Sequence, residues 1–165
     1  MRFVCDTMLA RVARWLRIIG IEAEYYGTID DDDLITKRPE GSIILTRDAE
    51  LAARPEAQPC YLVRAHKIWN QLREIVDAFG IEIDPDRIFS LCPNCGVELK
   101  EIEKGKVRGL VPPFVYATID EFYRCPSCKK IFWEATHTRG IKRILAQTFG
   151  RPEQGDGKQD SGGKP

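Results

Sequence analysis

Apolar positions in residues 1–89 alternate between short strand-like runs and helical spacing. Arg2–Cys5 reads as a short strand. Asp6 and Thr7 then offer an N-cap, and Leu9, Val12, Leu16 and Ile19 recur at helical intervals until Gly20 stops the helix. Residues 21–26 alternate like a strand, Gly27–Asp30 is a turn, and Asp31–Arg38 is a short helix ending before Pro39. Ser42–Thr46 is an apolar run of the kind found in buried parallel strands, and Asp48 can cap a helix through Arg54. Cys60–Val63 reads as the next strand. Ile68, Leu72, Ile75, Val76 and Phe79 mark an amphipathic helix stopped by Gly80. Strands alternating with helices predict a small α/β parallel sheet with flanking helices.

The pattern changes near Ser90. Val97–Glu103 and Val107–Val111 flank Gly105 and predict a hairpin. Glu121–Arg124 and Ile131–Trp133 flank the turn from Cys125 to Cys128, and Arg139–Phe149 reads as a final helix. Residues 151–165 hold four Gly and two Pro and no apolar residue, so a disordered tail is expected there. The expected organisation is residues 1–89, residues 90–150 and the tail. Across the whole chain, 43% of residues are hydrophobic and 30% charged, which excludes wholesale disorder. No apolar run approaches the roughly 20 residues needed to span a bilayer. Arg11, Arg14 and Arg17 interrupt any secretory signal, so a cytoplasmic location is expected, with no membrane partner.

Six cysteines sharpen the picture. Cys92-Pro-Asn-Cys95 and Cys125-Pro-Ser-Cys128 are two C-x-x-C turns. Two such turns can direct four thiolates at one tetrahedral Zn²⁺ and leave no coordination position open, which predicts a structural zinc ribbon. Disulfides are the competing reading, disfavoured in a reducing compartment, and a thioredoxin-like redox site needs only one such pair. Cys5 and Cys60 read as small buried hydrophobes.

Net charge is zero, but unevenly spread. Residues 1–91 carry 12 basic and 16 acidic side chains, whereas residues 92–150 carry 10 and 6. In an open parallel sheet, ligands collect at the carboxyl ends of the strands. Asp6, the Asp30–Asp33 run and Asp48 all fall there. Clustered carboxylates need a neutralising cation, and hard oxygen donors suit Mg²⁺ or Mn²⁺. Each is equally a plausible helix cap on its own. Arg11, Arg14 and Arg17, with Arg47, can line a phosphate path beside the acids, or form a solvated helix face. His66 and His137 have no motif partner. In the ribbon, Phe122, Tyr123, Phe132 and Trp133 interleave with Arg124, Lys129 and Lys130, a composition that suits single-stranded nucleic acid or a small ribbon's own core.

Several segments together resemble the Mut7-C family. They are Phe3-Val4-Cys5-Asp6-x-Met8-Leu9-x-Arg11-x-Ala13-Arg14-Trp15-Leu16-Arg17, Ile44-Leu45-Thr46-Arg47-Asp48 and Phe89-Ser90-x-Cys92-x-x-Cys95. Glu121-Phe122-x-x-Cys125-Pro126-x-Cys128, Phe132-Trp133 and His137 complete the pattern. The resemblance runs from about Arg2 to about Leu145. The sequence departs from it at Gly96, where a polar residue is expected, and at Lys129 and Ala135, where small Gly-like residues are usual. The family is described as a PIN-like ribonuclease domain joined to a zinc ribbon. The resemblance implies metal-dependent cleavage of RNA, with Asp6 and Asp48 carried over as metal ligands. Asp31 is the third acid by its spacing to Leu34-Ile35, with Asp30, Asp32 and Asp33 as near substitutes, and Asp86 or Glu50 as a candidate fourth. The expected function is a Mg²⁺- or Mn²⁺-dependent endoribonuclease whose zinc ribbon assists RNA binding. The alternatives are a non-catalytic RNA- or ribosome-binding module and a zinc-stabilised protein adaptor.

Overall fold

The computed structural model describes residues 1–133 together with Leu145 and Phe149. The expected final helix (apart from those two residues), His137 and the tail lie outside the described residues. Four parallel strands form the first sheet: β1 (Arg2–Cys5), β2 (Glu22–Tyr25), β3 (Ile43–Thr46) and β4 (Cys60–Leu62), in the order β2-β1-β3-β4. β1 pairs with both β2 and β3, so the strand order reverses at β1. Ligand crevices form at such a point in open α/β sheets.

Helices cover both faces. On one, α1 (Ala10–Ile18) packs with α4 (Ile68–Ala78). Val12, Leu16, Leu72 and Ile75 bury against Phe3, Cys5 and Leu45. Trp15 meets Trp69 with ring centroids 4.6 Å apart, and Leu145 is buried in the same cluster. On the other face, α2 (Asp31–Lys37) and α3 (Ala49–Ala53) bury Leu34 and Leu51 against Val4 and Ile44. Val4 and Ile44 face one layer while Phe3, Cys5 and Leu45 face the other. This is why Phe3-Val4-Cys5 and Ile43-Ile44-Leu45 are continuous apolar runs.

α1 and α4 end alike. Gly20 and Gly80 follow their helices at positive φ. The next amides reach back to close the last turn, Ile21 N donating to Leu16 O at 2.8 Å and Ile81 N to Val76 O at 2.9 Å. Gly20 has a second duty. A Cβ there would meet Arg87 Cβ and Arg87 O at 2.6 Å, whereas one at Gly80 would meet open space. Residues 84–90 therefore run directly beneath the end of α1, and Phe89 N donates to Ile18 O at 2.8 Å.

The second sheet is antiparallel: β5 (Lys100–Ile102), β6 (Phe122–Arg124) and β7 (Ile131–Trp133), in that order. The expected hairpin of 97–103 with 107–111 does not form, because β5 pairs with β6 instead. Lys104–Val107 is a 3₁₀ turn, and α5 (Pro113–Thr118) starts on a proline at its first position. Val107 and Val111, whose apolar character favoured a strand, pack with Phe122 as the core of this sheet. The two C-x-x-C turns are built alike. Gly96 and Lys129, each just after the second cysteine of its pair, adopt positive φ and donate their N–H to Cys92 O and Cys125 O. Glycine suits that conformation at position 96, whereas Lys129 holds it against steric preference.

Gly20→Ala is expected to destabilise the protein by roughly 2–4 kcal/mol, combining left-handed strain with overlap against Arg87. Gly80→Ala meets no neighbour and should cost only about 1–2 kcal/mol. Urea unfolding of the two variants measures the difference.

Candidate active site and metal centre

Pairing of β1 with β3 sets Asp6 beside Thr46. Asp6 N donates to Leu45 O at 3.0 Å, continuing the ladder past the end of β1. The Asp6 side chain is 6% exposed. Its Oδ1 accepts from Thr7 Oγ1 at 2.8 Å and Met8 N at 3.3 Å, and its Oδ2 accepts from Thr46 Oγ1 at 2.6 Å. The same Thr46 hydroxyl accepts from Asp48 N at 2.9 Å. One buried hydroxyl thus joins two acids that are far apart in sequence. Asp48 Oδ1 caps α3 by accepting from Glu50 N and Leu51 N.

The Asp30–Asp33 run divides by partner. Asp30 caps α2 through Asp33 N at 2.8 Å. Asp32 pairs with Arg54 at 2.5 Å, and Asp33 with Lys37 at 2.6 Å. The Asp31 side chain makes no hydrogen bond or ion pair among the described residues. Partial burial pushes its carboxyl pKa up, and the negative charges of Asp48 and Asp6 push it further; Arg54 opposes them. The three acids are therefore electrostatic neighbours at the carboxyl ends of β1 and β3. They do not close as tightly as the cysteines described below. A site of this kind disfavours its own charge and gains from a cation. Glu50 lies beside Asp48 on α3, whereas Asp86 belongs to the 84–90 segment under the end of α1.

The basic residues fall into three settings. Arg11 and Arg14 are exposed on α1, on the helix that follows Asp6. Arg47 follows Thr46, and its Nη2 donates to His66 Nδ1 at 2.9 Å. A guanidinium has no acceptor, so that contact fixes Nδ1 as the acceptor and puts the ring proton on Nε2. Arg47 Nε is buried and has no hydrogen-bond partner among the described residues. In the second C-x-x-C turn, Arg124 Nε donates to Lys129 O at 3.3 Å and Lys129 Nζ to Pro126 O at 2.5 Å; Lys130 is exposed. Arg17 does not share the solvent face of Arg11 and Arg14. It is 5% exposed and donates to Ala23 O, Pro93 O and Asn94 O. Sequence reasoning missed both this and the role of Thr46. The signals were a position four residues after buried Ala13, and a hydroxyl two residues before a capping aspartate.

The sulfurs of Cys92, Cys95, Cys125 and Cys128 all lie within 4.8 Å of one another. Cys92 Sγ and Cys128 Sγ are 3.8 Å apart. A tetrahedron with metal–sulfur bonds of about 2.3 Å has edges of about 3.8 Å, so the spacing fits one ion such as zinc. Burial pushes the Cys92 thiol up to about 12, while the Lys130 backbone amide brings Cys128 down to about 7. Four thiolates this close form only around a cation. Cys5 and Cys60 stand apart from this cluster. Burial pushes their thiols up to about 12 and about 11, which suits packing residues rather than ligands. On the ribbon sheet, Phe122 is wholly buried, while Tyr123 and Phe132 pair across strands on the opposite face. No helix among the described residues is long and apolar enough to cross a membrane.

Among known proteins, a human protein described as "Exonuclease mut-7 homolog" is 33% identical to this chain over 103 residues. That alignment covers 59% of this chain and 12% of the human protein, so the chain spans only a small part of its relative. No solved structure matches. Residues 1–145, which carry the acids and all four ribbon cysteines, match the Mut7-C RNAse domain, and the chain belongs to that family of nuclease type.

Proposed function

We propose that this chain is a metal-dependent endoribonuclease in which Asp6, Asp31 and Asp48 hold Mg²⁺ or Mn²⁺ at the carboxyl edge of a PIN-like sheet. The observation that carries the reading is Asp31. It alone among four consecutive acids is left untied, and the acids that raise its pKa are Asp48 and Asp6. Carboxylate donors with no thiolate or imidazole suit a hard divalent ion. Such an ion supplies Lewis-acid stabilisation of phosphate charge and an acidified water for hydrolysis of the phosphodiester bond.

The chain's own residues prepare that site. Thr46 holds Asp6 Oδ2 in place, and the α3 cap fixes the Asp48 carboxylate through Oδ1, leaving Oδ2 without a hydrogen bond among the described residues. Arg11, Arg14 and Arg47 steer the phosphate backbone towards the acids. Zn²⁺ bound by Cys92, Cys95, Cys125 and Cys128 is structural and shapes the ribbon. Lys130, with Arg124 and Lys129 folded over their own turn, grips RNA. The cross-strand pair Tyr123–Phe132 suits stacking with unpaired bases, which favours single-stranded RNA. The endonucleolytic mode follows the family resemblance, and so does the organisation into a nuclease unit over 1–89 and a ribbon from 90.

With Mn²⁺ and a circular single-stranded RNA, the wild type is expected to cut. Asp6→Asn, Asp31→Asn and Asp48→Asn should each lose at least ~100-fold in rate, the scale of a positioned catalytic group. Asparagine caps helices as well as aspartate does, so the folds should survive, which circular dichroism checks. Asp33→Asn is the control and should stay within about twofold of wild type. Full activity in the Asp6 and Asp48 variants would sink the assignment. Salt-sensitive RNA binding with no metal-dependent product would establish the non-catalytic module instead.

Cys92→Ser is expected to lower bound zinc from about one ion per chain to none and to unfold the ribbon, because structural zinc supplies folding free energy directly. Metal analysis of the purified protein, with near-ultraviolet dichroism of Trp133 and Tyr123, reads both effects. Retention of zinc would contradict coordination by four cysteines.

A further inference from the structure

Arg17 is a buried cation with no carboxylate in hydrogen-bond reach among the described residues. It stands on α1 and is 5% exposed. Its Nε donates to Ala23 O on β2 at 2.6 Å. Its Nη1 donates to Asn94 O at 2.7 Å and to Pro93 O at 3.3 Å, and those two residues lie between Cys92 and Cys95. The first C-x-x-C turn presses against it: a Cβ at Gly96 would come within 3.1 Å of Arg17 Nε. Carbonyl acceptors take up Nε and Nη1 but leave the charge uncompensated, and an unpaired buried charge carries a large desolvation cost. Burial does lower the Arg17 pKa, while the Cys5, Cys92, Cys95 and Glu24 groups around it act in the opposite direction.

One divalent ion held by four thiolates carries two net negative charges. We infer that Arg17 is the charge partner of the four-cysteine centre, and that it fastens that centre to α1 and β2, so that metal loading of the ribbon controls order at the β2 edge of the parallel sheet. The inference rests on the zinc reading above and not on nuclease activity. The geometry makes the coupling direct. α1 follows the short turn that Asp6 caps, so one helix has a candidate catalytic acid near its start and the metal centre near its end. Arg17 is thus a positioning residue.

The test uses the full chain, wild type and with Arg17→Met or Arg17→Lys. Zinc affinity is measured by competition with a chromophoric chelator, and amide exchange by mass spectrometry with and without zinc. In the wild type, removing zinc should speed exchange at least tenfold in residues 17–26 as well as in 92–97. Arg17→Met should weaken zinc binding by roughly 10–100-fold, the usual effect of losing a partner just outside the ligands. It should also abolish the zinc dependence of exchange in 17–26. Arg17→Lys keeps the charge but cannot bridge Ala23 and Asn94 together, so its affinity should fall between the two. It carries the affinity test if the methionine variant does not fold. Zinc affinity equal to wild type in the folded variants would overturn the inference, as would unchanged exchange in 17–26 when wild-type zinc is removed. A wild type that binds no zinc would overturn the zinc reading and this inference together, and the two failures are distinguishable.

Discussion

Everything at the candidate active site depends on the pairing of β1 with β3. Two strands that are distant in sequence lie side by side because each buries one face against α1 and α4 and the other against α2 and α3. That apolar burial, roughly 25 cal/mol per Å², drives the arrangement. The acids are placed as a consequence. Asp6 and Thr46 end adjacent strands, and the hydroxyl of Thr46 serves both Asp6 and the backbone of Asp48. Without the hydrophobic sandwich beneath them, these carboxylates would separate, since they repel one another.

The parallel sheet was legible because its signals agree at several levels. Strands two-faced in burial read as continuous apolar runs, helices carry capping aspartates, and Gly20 and Gly80 close the two long helices. The ribbon was less legible. Val107 and Val111 flank no strand but fill a small core with Phe122, and periodicity cannot tell those uses apart in so short a segment. The informative signal was Pro112-Pro113, which cannot continue a ladder and can begin a helix. The two C-x-x-C turns were legible from spacing alone, because four sulfurs around one ion leave little geometric freedom.

The candidate site was only half visible in the sequence. Position along the chain nominated Asp6, Asp48 and a run of four aspartates, and the family resemblance favoured Asp31 within that run, but neither shows which side chain stays free. That choice is made by partners remote in sequence or one helical turn away: Arg54 takes Asp32, Lys37 takes Asp33, and the α2 cap takes Asp30. Side-chain competition of this kind has no signature in a linear pattern. Arg17 illustrates the same limit. Its spacing from Arg11 and Arg14 suggested one basic face, yet it falls four residues after Ala13 and turns inward. Burial of a guanidinium is too costly to expect from a linear pattern, which does not show that the first C-x-x-C turn packs against it.

The two candidate metal sites ask for opposite environments, and the fold separates them accordingly. A hard cation that must exchange water needs carboxylates at a solvent-facing edge, where charge repulsion is tolerable and one acid remains untied. A structural ion needs a closed set of soft ligands that leaves no coordination position open. Placing the first at the carboxyl ends of β1 and β3, and the second beyond the other end of α1, keeps the oxygen ligands out of reach of the sulfur site. α1 and the buried charge of Arg17 are what remain in common. A cation there helps hold the sulfur centre without offering it a ligand, since a guanidinium can only donate. The separation is therefore one of donor chemistry as well as of position, and the helix between the two sites turns one arginine inward, onto the first C-x-x-C turn, where Arg11 and Arg14 face out.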